Sequence, residues 1–324
     1  MSMQLSKDDL LRAYRIMKTV REFEERLHVE FATGEIPGFV HLYAGEEASA
    51  AGICMHLDGR DKIASNHRGH GHSIAKGCDV HAMMAEIYGR ETGLCAGKGG
   101  SMHIADLSMG MMGANGIVGG GPPLACGAAL AAKKLGTGGI ALAFFGDGAS
   151  NQGTVMESLN LATVWNLPCI FVVENNGYAE ATSSKYSVSC DDAADRAGAF
   201  NMPGVVVDGH DFFAIHEAGG EAVRRAREDS APTLIEVKTN RYYGHFEGDA
   251  QTYRGKDEVK NLRANRDCLD LFRSRVISAN LVEDAELDAI DGEAGDLIED
   301  AVVKAKAASR PAASELLTDV YISY

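Results

Sequence analysis

Gly146-Asp147-Gly148-Ala149-Ser150-Asn151, followed by Glu174-Asn175-Asn176-Gly177-Tyr178, is the part of the chain from which its fold can be read. Residues 139–145 (GIALAFF) are an apolar run ending at the first motif, and 168–174 (PCIFVVE) end at the second; both predict buried strands. Between them, 151–166 predicts a helix with Val155, Leu159 and Ala162 on one face. A strand, helix and strand joined by a right-handed crossover make a parallel pair whose C-terminal ends share one edge. Open α/β sheets bind ligands at that edge. There Asp147 and Asn176 can offer two hard oxygens to one Mg²⁺, which takes octahedral oxygen ligation completed by phosphate and water. The helix beginning near Asn151 aims free N–H groups at the same place, which suits a diphosphate.

The alternation continues downstream. Gly204–Asp208 (GVVVD) and Thr233–Lys238 (TLIEVK) are strand-like and flank a helix near 212–227. The fold class is therefore α/β, a mostly parallel sheet flanked by helices. Upstream, residue 6 to about 31 predicts a long amphipathic helix, with Ile16, Val20, Phe23, Leu27 and Phe31 on one stripe and Ser6 and Asp9 as a capping pair. Residues 34–125 hold Gly-rich turns between short helical runs such as 81–89. From about 257 the pattern is helical and polar. Carboxylates crowd 283–300 around Leu281, Leu287, Ile290, Leu297 and Ile298, which predicts a solvated helical face and not a docking patch for a basic partner. With no repeat or linker, the expected organisation is one domain over 1–324, with helical extensions at 1–33 and 257–324.

Bulk properties narrow the partners. The chain has 324 residues, 45% apolar and 24% charged, as an ordinary soluble globular protein does. A net charge of −15 argues against nucleic acid and anionic membrane surfaces, which select basic faces. Seven scattered cysteines form no CxxC pair, so reduced, buried thiols are expected. The polar opening MSMQLSKDDL and the lack of any run near ~18–20 apolar residues predict a cytoplasmic location.

GDG followed about thirty residues later by NN, with a strand–helix–strand frame, resembles the signature of thiamine-diphosphate enzymes. Phosphatases of the haloacid dehalogenase type share GDG-x-x-N, but they need an Asp-x-Asp nucleophile upstream, and none precedes Asp147. The resemblance runs from about residue 10 to the C-terminus. In order, His41-Leu42-Tyr43-Ala44-Gly45-Glu46-Glu47-Ala48, Arg68-Gly69-His70-Gly71, Gly97-Lys98-Gly99-Gly100-Ser101-Met102-His103, Asn115-Gly116-Ile117-Val118-Gly119 and Arg241-Tyr242-Tyr243-Gly244-His245 are similar to the E1 α subunits of 2-oxo-acid dehydrogenase complexes and of acetoin dehydrogenase. Residues 38–51 and 242–254 resemble the acetoin type most.

The resemblance implies a thiamine-diphosphate-binding fold and a set of roles. Asp147, Asn176 and the carbonyl of Tyr178 would ligate Mg²⁺, with Gly146, Gly148 and Ala149 against the diphosphate. A backbone that approaches phosphate closely has no room for Cβ. Arg68 and His245 match positions at the cofactor phosphates, and a forked cation suits that charge. His67, which precedes Arg68 where the family more often has Tyr, is a further cofactor-binding candidate. Gly116, Ile117 and Val118 match the loop that holds the aminopyrimidine. His41 and His245 are the candidate catalytic residues, since carbanion chemistry needs proton donors and acceptors near pH 7. His103 also belongs to a matched motif; a satisfied core histidine is the competing reading. His67, His70 and His72 invite a zinc reading, but no second ligand group with metal-like spacing follows, and an imidazole-lined active-site mouth is the stronger one.

The family places the pyrimidine-binding domain, with its activating Glu, on a separate β subunit, and this chain has no room for it. An α2β2 heterotetramer and a lipoyl-bearing E2 partner are therefore implied. The implied reaction is cleavage of acetoin to acetaldehyde, the remaining two-carbon unit passing to lipoyl-E2. Tyr243 and Phe246, bulky and uncharged beside His245, suit a neutral hydroxyketone. The alternatives are a pyruvate dehydrogenase E1 α subunit and a non-catalytic scaffold homologue. Phe246 also stands where mitochondrial pyruvate-type subunits carry a phosphorylatable Ser, which excludes kinase control there.

Overall fold

The computed structural model describes residues 5–321. The expected extents 1–33 and 257–324 therefore reach, at 1–4 and 322–324, outside the described residues. The strands in chain order are β1 (Lys62–Ala64), β2 (Met111–Gly113), β3 (Ala141–Gly146), β4 (Cys169–Asn175), β5 (Tyr178–Ala179), β6 (Thr182–Ser183), β7 (Gly204–Asp208) and β8 (Thr233–Lys238). Six of them form one sheet in the order β2-β1-β3-β4-β8-β7, every neighbouring pair parallel. β5 and β6 make a separate antiparallel ribbon just beyond β4. Register sets Gly146 opposite Glu174 and Asn175 opposite Lys238, so the two motifs leave the sheet side by side. From β1 the chain goes outward to β2, then returns to β3 on the other side of β1. The reversal leaves a crevice beyond the C-terminal ends of β1 and β3, the kind of place where open sheets take ligands.

Helices cover both faces. They are α1 (Lys7–Phe31), α2 (Glu47–Cys54), α3 (His70–Lys76), α4 (Val80–Ile87), α5 (Gly121–Leu135), α6 (Gly153–Val164), α7 (Ser184–Ser187), α8 (Phe212–Asp229), α9 (Glu258–Asn265), α10 (Cys268–Ser278) and α11 (Asp284–Ala307). Strand alternation sorts the core into two layers. Ala141, Ala143 and Phe145 of β3 pack with Ala125 and Ala129 of α5 and with Val155, Leu159 and Ala162 of α6. Leu142 and Phe144 face the other layer, with the buried sides of α1, α2, α8, α10 and α11.

The expected elements form, with informative shifts. α1 begins at the expected capping box, Asp9 N–H donating to Ser6 Oγ at 3.2 Å and Ser6 N–H to Asp9 at 3.0 Å. Its buried stripe includes Leu10, Tyr14 and Met17 with Val20, Phe23 and Leu27, while Ile16 and Phe31 are only half-buried. The helix expected from 151 starts at Gly153, because Ala149–Asn151 forms a 3₁₀ turn and Gln152 is extended. Ser150 closes that turn by donating to Asp147 O at 2.6 Å. The N–H groups nearest the first motif therefore belong to the turn and not to α6.

The acidic run forms α11, apolar on one side and acidic on the other. Leu287, Ile290 and Ile298 of α11 are buried in the same layer as α1. Its carboxylates meet α1 cations in the pairs Lys7–Glu286 (2.7 Å), Lys18–Asp291 (3.6 Å), Arg15–Glu293 and Arg26–Glu299. The apolar stripe of residues 283–300 thus packs within this chain, while Glu283, Asp284 and Asp288 keep the expected solvated face; Leu281 also stays exposed. Five cysteines are buried and Cys95 and Cys190 partly so, all free. Among the described residues no helix is long and apolar enough to cross a membrane.

One buried ion network ties the helices together. Arg21 of α1 donates to Glu47 of α2 at 2.5 Å and to Asp267, the cap of α10, at 2.7 Å. Glu47 has no exposure, so removing the guanidinium leaves a buried charge unpaired. Arg21→Ala should destabilise the protein by roughly 3–5 kcal/mol, read as a fall in urea midpoint. A change under about 1 kcal/mol would show that the network is decorative.

Candidate cofactor and active site

A cavity of about 330 Å³ lies in the crevice beyond β1, β3 and β4. Ser65–Arg68 line it after β1, Gly146–Ala149 after β3, Asn176 and Tyr178 after β4, and Ile117, Val118, Arg241 and His245 come from loops. The sheet edge supplies the two motif residues by register alone. Asp147 is 2% exposed, and its Oδ2 is buried without a hydrogen-bond partner. Burial pushes its carboxyl up to about 6. Asn176 is also buried and donates from Nδ2 to Glu46 Oε1 at 2.9 Å, which turns Oδ1 away from Glu46. Burial, and then the neighbouring charge of Glu174, push the Glu46 carboxyl up to about 8, and Glu46 Oε2 is likewise unpartnered.

The other wall is cationic. Arg68, 3% exposed, donates to Leu42 O at 3.0 Å and to His245 O at 2.6 Å. Burial and Arg241 bring it down to about 10. Arg241, 1% exposed, donates to Tyr178 O and Glu180 O, each at 2.9 Å, while its Nε–H has no partner. The carbonyl of Tyr178, an expected metal ligand, is thus already one acceptor for Arg241, with a second lone pair left. Two mutually repelling guanidiniums call for an anion, and the unpartnered carboxylate oxygens call for a hard dication.

The glycines have different reasons. A Cβ on Gly146 would meet nothing closer than Glu174 O at 4.0 Å and would project into open space. A Cβ on Gly148 would come within 2.3 Å of Ala179 Cβ, so this glycine is needed to pack the turn against β5. Ile117 and Val118 are 73% and 53% exposed at the rim, an apolar pair turned to solvent beside Gly116. Gly116 itself lies next to the lining residues Asn115 and Ile117.

The histidines regroup. His70 and His72 enter α3 and are fully buried, His70 against Glu24 (3.0 Å) and Ser101 (2.9 Å), His72 against Glu174 (3.0 Å) and Ser65 (2.7 Å). His67 turns instead to His41 and His245, ring centroids 4.7 and 5.2 Å away, and His41 and His245 lie 5.0 Å apart. Burial and then Arg68 lower all three, His41 to about 3 and His245 to about 4. At pH 7 they are neutral. His103 is exposed, not a core residue. Tyr243 points away from the cavity, its hydroxyl on Glu25 and its ring on His28, so of the two expected neighbours only Phe246 faces this cluster.

Residues 15–314 match the dehydrogenase E1 component family. The chain belongs to that family. It is 64% identical over its whole length to the α subunit of acetoin:2,6-dichlorophenolindophenol oxidoreductase of Cupriavidus necator, covering 97% of that protein. The subunit of the same name from Bacillus subtilis is 55% identical over 99% of this chain and 96% of its own length. The pyruvate dehydrogenase E1 component α subunit of Rhizobium meliloti is 40% identical over 98% of this chain and 92% of its own. This E1 family implies thiamine diphosphate, and the cavity's pairing of unsatisfied carboxylates with crowded guanidiniums fits a metal-bound diphosphate. Glu46, Glu174 and Arg241 were not singled out in the sequence, although each stands in or beside a matched motif.

The Asp147 carboxyl lies above its ordinary 3.8 when folded, so its charge opposes folding. That cost is absent below about pH 4, grows through about pH 6 and is full above it. Asp147→Asn should therefore raise the stability of the cofactor-free protein by about 2 kcal/mol at pH 8, with little gain at pH 4. The same variant should lose Mg²⁺-dependent binding of thiamine diphosphate. Calorimetric Tm at both pH values, with a cofactor titration, checks both halves.

Proposed function

We propose that this chain is the α subunit of a thiamine-diphosphate-dependent acetoin dehydrogenase E1 component. With a β subunit it cleaves acetoin to acetaldehyde and passes the remaining two-carbon unit to a lipoyl-bearing E2 component. The observation that carries this reading is the 64% and 55% identity to subunits named for acetoin, against 40% to a pyruvate-type subunit over similar lengths. An α2β2 assembly suits the exposed Ile117 and Val118, which a second chain would cover. Free thiols suit the reducing cytoplasm. We treat 1–324 as one domain, since α1 and α11 close over the layer that also holds Leu142 and Phe144.

In this reading Asp147, Asn176 and the Tyr178 carbonyl hold Mg²⁺, with Glu46 orienting Asn176. Gly146, Gly148 and Ala149 lie along the diphosphate, and Arg68 and Arg241 offset its charge. Gly116, Ile117 and Val118 lie against the pyrimidine. Bound thiamine diphosphate supplies a carbon nucleophile for the substrate carbonyl. His67 and His245 line the cavity with His41 packed against them, and neutral imidazoles there accept protons. Acetoin needs such an acceptor, because its hydroxyl proton leaves as the C–C bond breaks; pyruvate loses CO₂ without one. Phe246 and Phe39, ring centroids 5.7 Å apart beside His41, add an apolar wall. A neutral hydroxyketone enters it without the several kcal/mol that desolvating an unpaired carboxylate costs.

Co-expressed with its β chain and assayed with an artificial electron acceptor, the enzyme should show kcat/KM for acetoin at least ~10-fold above that for pyruvate. A higher value for pyruvate would overturn the acetoin assignment. The α chain alone should turn over neither substrate; robust cleavage without a β chain would show that the activating carboxylate lies within these 324 residues.

A further inference from the structure

The regrouping of the histidines has a chemical consequence independent of the substrate. His41, His67 and His245 come from three separate loops, and each can present one ring nitrogen so that all three lie within 4.8 Å of one another. Nitrogens bound to one tetrahedral zinc ion at ~2.0–2.1 Å lie roughly 3.4 Å from each other, so rotations of the three rings must draw the nitrogens in by about 1.4 Å at most. The His41 Nδ1 atom is buried and has no hydrogen-bond partner, which leaves a lone pair or an N–H aimed at nothing. Burial keeps the three rings neutral, the form that binds metal.

We propose that His41, His67 and His245 form a tris-imidazole site for a zinc-class dication on the cavity wall that His67 and His245 line, and that its occupancy blocks substrate there. Three imidazoles with an open fourth position are a donor set that favours Zn²⁺, Co²⁺, Ni²⁺ or Cu²⁺ over Mg²⁺. The oxygen donors of Asp147, Asn176 and Tyr178 favour Mg²⁺. One cavity thus holds two cation sites of opposite taste. Arg68 donates to His245 Nδ1 at 3.2 Å, a hydrogen bond that a metal on His245 must displace, and its charge opposes a second cation; the Asp249 carboxylate, which accepts the His245 backbone N–H at 2.7 Å, offsets that charge. His67 decides the matter, since a Tyr at that position would leave two imidazoles only.

Co²⁺ is the probe, added to the full chain in excess Mg²⁺. The expected result is one bound equivalent with the visible ligand-field absorption of four-coordinate Co²⁺ and no thiolate charge-transfer band. His67→Tyr and His41→Gln should each weaken binding at least ~10-fold, while Asp147→Asn leaves it unchanged. In the assembled enzyme, Zn²⁺ should abolish turnover, and a chelator should restore it. Co²⁺ binding that survives His67→Tyr, that is lost in Asp147→Asn, or that shows a thiolate band would overturn the proposal. So would full activity with the site loaded.

Discussion

Glu174, the last residue but one of β4, is a carboxylate without solvent, and its Oε1 accepts from Tyr43, from Ser49 at 2.8 Å and from His72 at 3.0 Å. Burial alone would push it up, but His72, Tyr43 and Ser49 hold it below its ordinary value. An ion in the interior persists only where fixed donors replace water. The donors come from the segment before α2, from α2 and from α3, and His72 is itself held by Ser65 and stacked on Phe144 at 4.0 Å. Those segments cannot shift independently of β4 without uncovering the charge. The position of Asn176, two residues on, follows from that restraint. So does the protonation of Glu46, whose acidity is suppressed by the charge of Glu174 after burial itself.

The sheet and its ligand edge were legible because period and chain order determine them. Apolar runs ending at Gly146 and Glu174 need only a crossover to place Asp147 beside Asn176. The start of α6 was not legible to within two residues, since a Ser150 hydroxyl bonding back to Asp147 O decides it, and no periodicity records that. The histidine grouping was misread for a related reason. Spacing joins His67 to His70 and His72, but α3 carries the latter two inward and leaves His67 in the loop, where it meets residues 26 positions before and 178 after it. The acidic face of α11 was legible as solvated, but the helix that its apolar stripe meets, α1, sits at the far end of the sequence, where no local pattern shows it. Local pattern reports local structure; the missing pieces are contacts between distant loops.

Charge also divides the cavity in a way that couples binding to folding. Burial and the charge of Arg241 lower the proton affinity of Arg68, and Asp147 and Glu46 resist ionisation. Each imbalance is a cost carried by the cofactor-free protein, and a metal–diphosphate pair would neutralise both ends together. Ligand affinity for such a site includes the strain it relieves, so the bound form gains stability with free ligand concentration. Removing any one of these four side chains alters both quantities, and they separate only when binding and unfolding are measured on the same variant.

The contact between Gly148 and Ala179 is tighter than any side chain at 148 would permit. The turn after β3 and the β5–β6 ribbon after β4 are therefore in mechanical register, like two jaws sharing a hinge pin. One jaw carries Asp147 and the other the Tyr178 carbonyl, with Arg241 clasping the second from behind. The ribbon cannot move toward the turn without pressing on it, so how near the two ends of the oxygen cluster can come is limited by backbone packing and not by the choice of side chain.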